Sequence, residues 1–371
     1  MSIGYKAVQW SRAKIVYDII LLSTVAIYLY GFMAITAMIS PDVDLHTVRI
    51  RAYGSAAFLL LHVILSIGPL SRLSPTFYPL LFNRRHMGVT MFFLSLVHIN
   101  GWKWLKLPWA WFGADAPRSP IDFNGALTWH HDFGNLDPLV SLFAGNSHYS
   151  DVILFPFEIL GALALIILFL MAATSHDFWL TNLTAPLWKA LHMGVYVAYG
   201  LLVGHVVLGA LQINRDPVLT GAVLVGMVWI VTIHLITGTR ERYKDHKDRS
   251  NLLPRLDGFV DIGFVADIPN NRAKVVMISG ERVAVFKYDG KISAISNVCQ
   301  HQNGPLGEGK MIDGCITCPW HGHQYLPESG TAPPPFHEKV PTFDVKVQGG
   351  RVFIHAIPHP AGTPVTPAAI A

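Results

Sequence analysis

Six apolar runs, each close to the roughly 20 residues a membrane-crossing helix needs, occupy the first two thirds of the chain. They are Ile15–Ile39, Ala52–Leu70, Met87–Trp104, Val152–Ala173, Leu187–Leu211 and Val218–Thr237. The third is the weakest by hydropathy, and the alternation of flanking charge requires it. The pattern then changes. A charged stretch with one proline is followed by short runs of alternating character, FVDIGFVADI, KVVMI, RVAVFKY, KISAIS, DVKV and RVFIHAI, separated by turn residues. Such runs predict a small antiparallel β domain. The expected organisation is an α-helical membrane bundle of six transmembrane helices over residues 1–238, a charged linker over 239–257, an all-β domain over 258–357 and a flexible tail over 358–371.

Composition agrees with lipid contact. Hydrophobic residues make up 51% of the 371 residues and charged residues only 14%, against about 25% charged in soluble domains. The net charge of +4 is mild, and many basic residues flank apolar runs, so no nucleic-acid partner is expected. The N-terminal MSIGYKAVQWSRAK lacks a signal-peptide cleavage pattern, and the first run reads as a retained helix. With the N-terminus inside, the inner flanks hold eleven Lys and Arg residues, among them Arg72, Arg84, Arg85, Lys189 and Arg240. The outer flanks hold six, Arg49, Arg51, Lys103, Lys106, Arg118 and Arg215. The positive-inside rule then places both termini in the cytoplasm, as in a multi-pass inner-membrane protein. The long outer loop 105–151 carries Trp109, Trp111, Trp129, His130, His131 and His148. It reads as an interfacial cap, with docking of an outer partner as the alternative.

Ionisable residues inside apolar runs are costly and usually functional. The fifth run carries His192 and His205, about 20 Å apart along a helix, and the third carries His86 and His98, about 18 Å apart. Two helices that each offer an inner and an outer imidazole suit two stacked bis-histidine haems, one per leaflet, with the count of one or two left open, since imidazole is a common axial ligand and bundle sites form between facing helices. His62 and His234 are further candidates, each weighed against a hydrogen-bonded packing role.

At these residues the chain resembles a known superfamily. FLLLHVILSIGPLSRL, NRRHMGVTMFFLSLVHI and PLWKALHMGVYVAYGLLVGHVV resemble the ferric-reductase-like transmembrane domain, and in particular the haem-binding membrane subunit of the methionine-sulfoxide reductase system. The resemblance covers roughly residues 50–210. It implies haem b, with His98, His192 and His205 at ligand positions. His62 stands where the family carries a small or hydroxyl residue. His62 and His86 therefore compete as the second ligand of an inner haem.

The three cysteines, Cys299, Cys315 and Cys318, fall within twenty residues of one another. That spacing favours a metal site over a disulfide framework. Cys299-Gln-His301 and Cys318-Pro-Trp-His321 form two half-sites that together supply two thiolates and two imidazoles, the donor set of a Rieske cluster. A zinc site built on Cys315-x-x-Cys318 is the rival. It leaves Pro319–Gly322 unexplained, and Cys315 reads better as a strand residue. His323 is a surplus candidate beside His321. The two half-sites, with Gly304-Pro305-Leu306-Gly307, resemble the Rieske [2Fe-2S] family. In quinol-oxidising relatives a disulfide links the two cluster loops. Here the matching positions hold Gly304 and Trp320, so the resemblance is to the ferredoxins of ring-hydroxylating dioxygenase systems and implies few stabilisers around the sulfurs and a lower potential.

No G-x-G-x-x-G opens a helix after a strand, so a separate cytoplasmic donor such as a flavin reductase is expected. The expected function is a membrane-bound electron-transfer protein, an oxidoreductase component. It would link that donor, the [2Fe-2S] cluster, membrane haem, and a quinone or outer-side acceptor. The alternatives are an electron-supplying Rieske component of a membrane-associated oxygenase system and a non-catalytic redox sensor or assembly subunit. A self-sufficient oxygenase would need a further two-His, one-carboxylate iron site, for which too few residues follow the β domain.

Overall fold

The computed structural model describes residues 12–43, 45–81, 84–99, 155–175, 179, 183, 185–212, 217–301, 303–320 and 322–370. The outer loop with its tryptophans and His130, His131 and His148 lies outside the described residues, as do Trp104, the N-terminal residues and His321.

Each of the six apolar runs contains a helix among the described residues: α1 (Arg12–Ile39), α2 (Leu45–Leu73), α3 (Arg84–His98), α4 (Glu158–Ala173), α5 (Ala185–Val206) and α6 (Pro217–Asn251). Four of them, α1, α2, α5 with its continuation, and α6, are long and apolar enough to cross a membrane. Six spans are not confirmed among the described residues. The described part of α3 has 15 residues and α4 has 16, short of the roughly 20 that a span needs. Large apolar side chains such as Ile27, Met38, Val218 and Val225 on α1 and α6 are exposed, which suits a multi-pass membrane protein facing lipid. Small residues on α2, Ala52, Ala56 and Ala57, are buried. They let α2 pack closely on α3, and α4 lies against α5. Leu61, Leu65, Phe92, Leu168 and Ile230 fill the space between.

The charged stretch after the sixth run is helical rather than an open linker. At 35 residues, α6 measures about 50 Å, well beyond the roughly 30 Å of a hydrocarbon core. Its last turns carry Glu241, Asp245 and Asp248, and all three grip the β domain. Arg282 Nη2 lies 2.6 Å from Asp245 and 3.3 Å from Glu241, and the Met277 amide donates to Asp248 at 3.1 Å. The helix stops just short of Pro254, which cannot donate to a helix ladder.

The β domain has three sheets. β1 (Phe259–Phe264), β10 (Arg351–His355) and β9 (Val345–Gln348) form the first. β2 (Arg272–Ile278), β3 (Glu281–Tyr288), β4 (Lys291–Ser296) and β11 (Ala368–Ala369) form the second, with β8 (Thr342–Phe343) also on β4. β5 (Lys310–Ile312), β6 (Cys315–Thr317) and β7 (Gln324–Tyr325) form the third. The core between the first two sheets holds Val260, Ile278, Val283, Val285, Ile292, Phe343 and Ile354. The tail is ordered rather than flexible: β11 pairs with β4, and the Ile370 amide donates to Gly290 O at 2.8 Å. Phe286 on β3 is fully buried in a second cluster behind the loops described next. Phe286→Ala is expected to cost about 3–5 kcal/mol, read in urea titration of the full chain by a tertiary-structure probe of the β domain. A loss below about 1 kcal/mol would mean that this cluster adds little to the fold.

Candidate functional site

Two loops at one end of the β domain carry the cysteines. The first follows β4 and is closed by the Val298–Pro305 bridge and by the Cys299 amide donating to Gly304 O at 2.9 Å. The second joins β6 to β7. It is closed by the Cys318 amide on His323 O at 2.8 Å and the Gly322 amide on Cys318 O at 3.0 Å. Gly322 has φ +74°, a conformation that glycine adopts without strain. Gly304 answers a different need. A Cβ there would lie 2.7 Å from Cys318 Sγ and 3.2 Å from the Trp320 ring, so the first loop's backbone can reach the second cysteine only as glycine.

Cys299 and Cys318 are both buried and share one apolar cluster with Leu306, Ile316 and Tyr325. Cys315 is buried on β6 but does not belong to that cluster. Burial pushes its thiol up, and the nearby carboxylates add to this. The two cysteines brought together are therefore those of the two half-sites, which disfavours a zinc pair of Cys315 and Cys318. Burial alone would raise the Cys299 thiol as well. Hydrogen bonds with Cys318 and Tyr325 and the field of His323 outweigh it and draw Cys299 down to about 6, towards the thiolate that binds metal.

His301 stacks on His323, with ring centroids 4.8 Å apart and planes within 7°. His323 is also buried, packs edge-on against Tyr325 and Phe336, and has Nε2 3.4 Å from Glu338. That contact with His323 brings the Glu338 carboxyl down to about 2. Among the described residues no group of three His, Cys, Asp or Glu forms a metal cluster. His321, the fourth expected donor, lies outside them. The two buried sulfurs, the imidazole beside them and the glycine cradle around Cys318 fit an iron–sulfur cluster by donor chemistry.

Tyr325 is a residue that the sequence reading passed over. It is fully buried, its hydroxyl accepts the Gln300 amide at 3.0 Å, and it lies 3.4 Å from Cys299 Sγ. Either atom could donate in that contact, but once Cys299 is the thiolate that binds metal the sulfur can only accept, and the hydroxyl is then the donor. The expectation of few stabilisers around the sulfurs is not met at Cys299. A donor to sulfur favours the electron-rich state, so Tyr325→Phe is expected to lower the cluster midpoint potential. A differential of about 1 kcal/mol corresponds to roughly 40 mV for a one-electron couple. An unchanged potential in an EPR-monitored titration would remove Tyr325 from the tuning of the site.

The membrane histidines divide into two groups. His98 closes α3 and His205 closes α5, just before the π-helical turn Val207–Leu211. His98 Nδ1 donates to Ile50 O at 2.8 Å and His205 Nδ1 to Phe157 O at 2.9 Å. A ring nitrogen facing a carbonyl must carry the proton, which leaves Nε2 of each with its lone pair, the form that binds metal. The two rings are perpendicular with centroids 6.2 Å apart. Two metal–nitrogen bonds of about 2 Å plus the two ring half-widths span such a gap. Gly54 and Gly161 make room for the rings: a Cβ would lie 2.7 Å from His98 Nδ1 and 2.8 Å from His205 Nδ1.

The other histidines are differently placed. His62 has Nδ1 at Phe58 O (2.8 Å) and Nε2 at the Tyr199 hydroxyl (3.1 Å), with the ring against Gly226. His86 Nδ1 lies 2.6 Å from Asp18. His234 bonds Ile230 O and Tyr196. His192 has Nδ1 on Trp188 O at 3.0 Å and Nε2 3.5 Å from Ser175 Oγ, at the limit of a hydrogen bond. Both nitrogens of His62 are thus hydrogen-bonded, and among the described residues His98 and His205 are the two candidate ligands whose rings approach each other.

The two domains meet at the cysteine-bearing end. Arg72 Nε pairs with Glu308 at 2.8 Å, Arg272 stacks over Tyr78 at 4.6 Å, and Arg84 lies 5.5 Å from the Trp320 ring centre.

Comparison with known proteins separates the same two parts. Residues 52–203 match the family model described as ferric reductase like transmembrane component, and residues 258–344 match the Rieske [2Fe-2S] domain. The ferredoxin component of an alkene monooxygenase system from Xanthobacter autotrophicus is 32% identical over 28% of this chain and 84% of its own length. The ferredoxin component of a naphthalene 1,2-dioxygenase system from Pseudomonas aeruginosa is 28% identical over 26% of this chain and 93% of its own. The iron-sulfur subunit of the cytochrome b6-f complex of Chlorobaculum tepidum is 28% identical over 25% of this chain, which spans about half (51%) of that subunit.

Proposed function

Since the chain belongs to the Rieske [2Fe-2S] family and carries a ferric reductase-like transmembrane component ahead of that domain, we propose that it moves electrons one at a time between a cytoplasmic donor and an acceptor in or across the membrane. Cys299, His301, Cys318 and His321 would hold the [2Fe-2S] cluster, and His98 and His205 would hold a haem b. The cluster supplies a one-electron carrier on the donor side, and the haem supplies one within the bilayer. The donor would be a soluble protein such as a flavin reductase, and the acceptor a quinone or an outer-side protein. The domains proposed are the membrane domain over 1–238 and the Rieske domain over 258–357, with a helical connection in place of the linker and a tail paired to β4. The chain's charge asymmetry supports a cytoplasmic Rieske domain on an inner membrane.

The protein's own residues hold the carriers and set their surroundings. Ile50 O and Phe157 O fix the tautomers of His98 and His205. Tyr325 would donate to Cys299 in its thiolate form, and the apolar cluster around the two cysteines excludes water. The observation that supports the reading is the packing of the cysteine-bearing loops against the helical domain, with Arg84 over Trp320. The test uses the full chain in detergent, with NADH and a flavin reductase as reductant. Haem reduction following that of the cluster is the expected result. A cluster that reduces while the haem stays oxidised would sink the reading. The ferredoxin names of the relatives favour a second reading, supply of electrons to an oxygenase. It predicts that oxygenase activity survives loss of the haem.

A further inference from the structure

Trp320 stands between Cys318 and His321 in the second loop and is the residue by which that loop touches the helical domain. Its ring lies 6.2 Å from that of Trp188, centroid to centroid, at 44°. Trp188 in turn stacks on His192 with centroids 3.6 Å apart and planes within 22°. Three aromatic rings thus form a continuous series from the sequence neighbour of Cys318 into α5, the helix that carries His205 at its far end.

The series is held on every side. Trp188 is buried, its Nε1 donates to Thr174 O at 3.1 Å, and its own carbonyl accepts His192 Nδ1. Trp320 is flanked by Gly304 on one side and the Arg84 guanidinium on the other. The Arg72–Glu308 pair, two residues beyond Leu306 of the first loop, fastens the same face.

We propose that Trp188 and Trp320 form the electronic contact between the two domains. Electron tunnelling weakens exponentially with the width of the gap between packed atoms, and two rings in series narrow the gap between the cysteine loop and α5. The step is a one-electron exchange with no proton or bond change: the reduced cluster is oxidised and the oxidised haem is reduced. This inference rests on the function proposed above and names the residues through which it works.

The test compares full-length wild type with Trp188→Leu, Trp320→Leu and Trp320→Phe. Each is checked first by the EPR signal and midpoint potential of the cluster and by the haem spectrum. Rapid photoreduction of the cluster then gives the rate of haem reduction. With spectra and potentials unchanged, both leucine variants are expected to slow the transfer by about tenfold or more, equivalent to about 1.4 kcal/mol in barrier, and Trp320→Phe by less. Trp188→Leu keeps the test valid if a change beside the cluster disturbs its assembly. Wild-type rates in Trp188→Leu would overturn the contact while leaving the function standing. Absence of transfer in the wild type would overturn both.

Discussion

His205→Ala is expected to abolish the b-type haem spectrum of the purified protein, and His98→Ala to do the same, while the cluster EPR signal persists in both. Each imidazole is prepared for a metal by the carbonyl on its Nδ1, and the two ring centroids lie 6.2 Å apart. Loss of either leaves one axial ligand where the site presents two. The effect should exceed the about 10–100-fold that outer-shell partners contribute to metal affinity. Gly161→Ala is a finer probe, because its Cβ would sit 2.8 Å from His205 Nδ1 and 2.9 Å from Cε1 and must turn the ring. Weakened haem retention of that 10–100-fold order is expected. His62→Ala should keep the outer haem, since both its nitrogens are occupied elsewhere. Full haem content in His205→Ala, or loss of haem in His62→Ala alone, would reverse the assignment.

The second large effect falls on the cluster. Cys318→Ser and Cys299→Ser are expected to remove the Rieske EPR signal, and Cys315→Ser to retain it, because Cys315 stands outside the cluster of buried residues around the other two. Gly304→Ala places a methyl 2.7 Å from Cys318 Sγ and should lower iron content sharply without touching a donor atom. Metal binding contributes directly to the folding free energy of small metal-bearing domains, so removing the iron should also lower the denaturant midpoint of the β domain. A signal that survives in Cys318→Ser would show that the cluster is held by another set.

Much of this was legible in the chain. Apolar run length located the six longest α-helices among the described residues, because lipid contact leaves a one-dimensional trace. The Cys-x-His and Cys-x-x-His spacing identified the two loops, because a metal fixes donor types. Tyr325 and Glu338 left no such trace. Each acts through a contact made across the fold, seven residues or more from the nearest cysteine, and a lone aromatic or carboxylate in sequence has no spacing rule. His62 shows the converse. A histidine in an apolar run reads as a ligand until the Tyr199 hydroxyl opposite it is seen. Short strands such as β5, β7 and β8 were also hidden, since two or three residues carry too little alternation to register.

The unbroken course of α6 from the bilayer to Asn251 makes residue number there a measure of angle. Each residue added between Thr237 and Glu241 would turn everything beyond it by about 100° and lift it about 1.5 Å. The grip of Asp245 on Arg282 would then pull against that of Glu308 on Arg72. A single inserted residue should be far more disruptive than seven, which restore the phase to within about 20°. Length variation in this helix is therefore constrained by rotation before it is constrained by height.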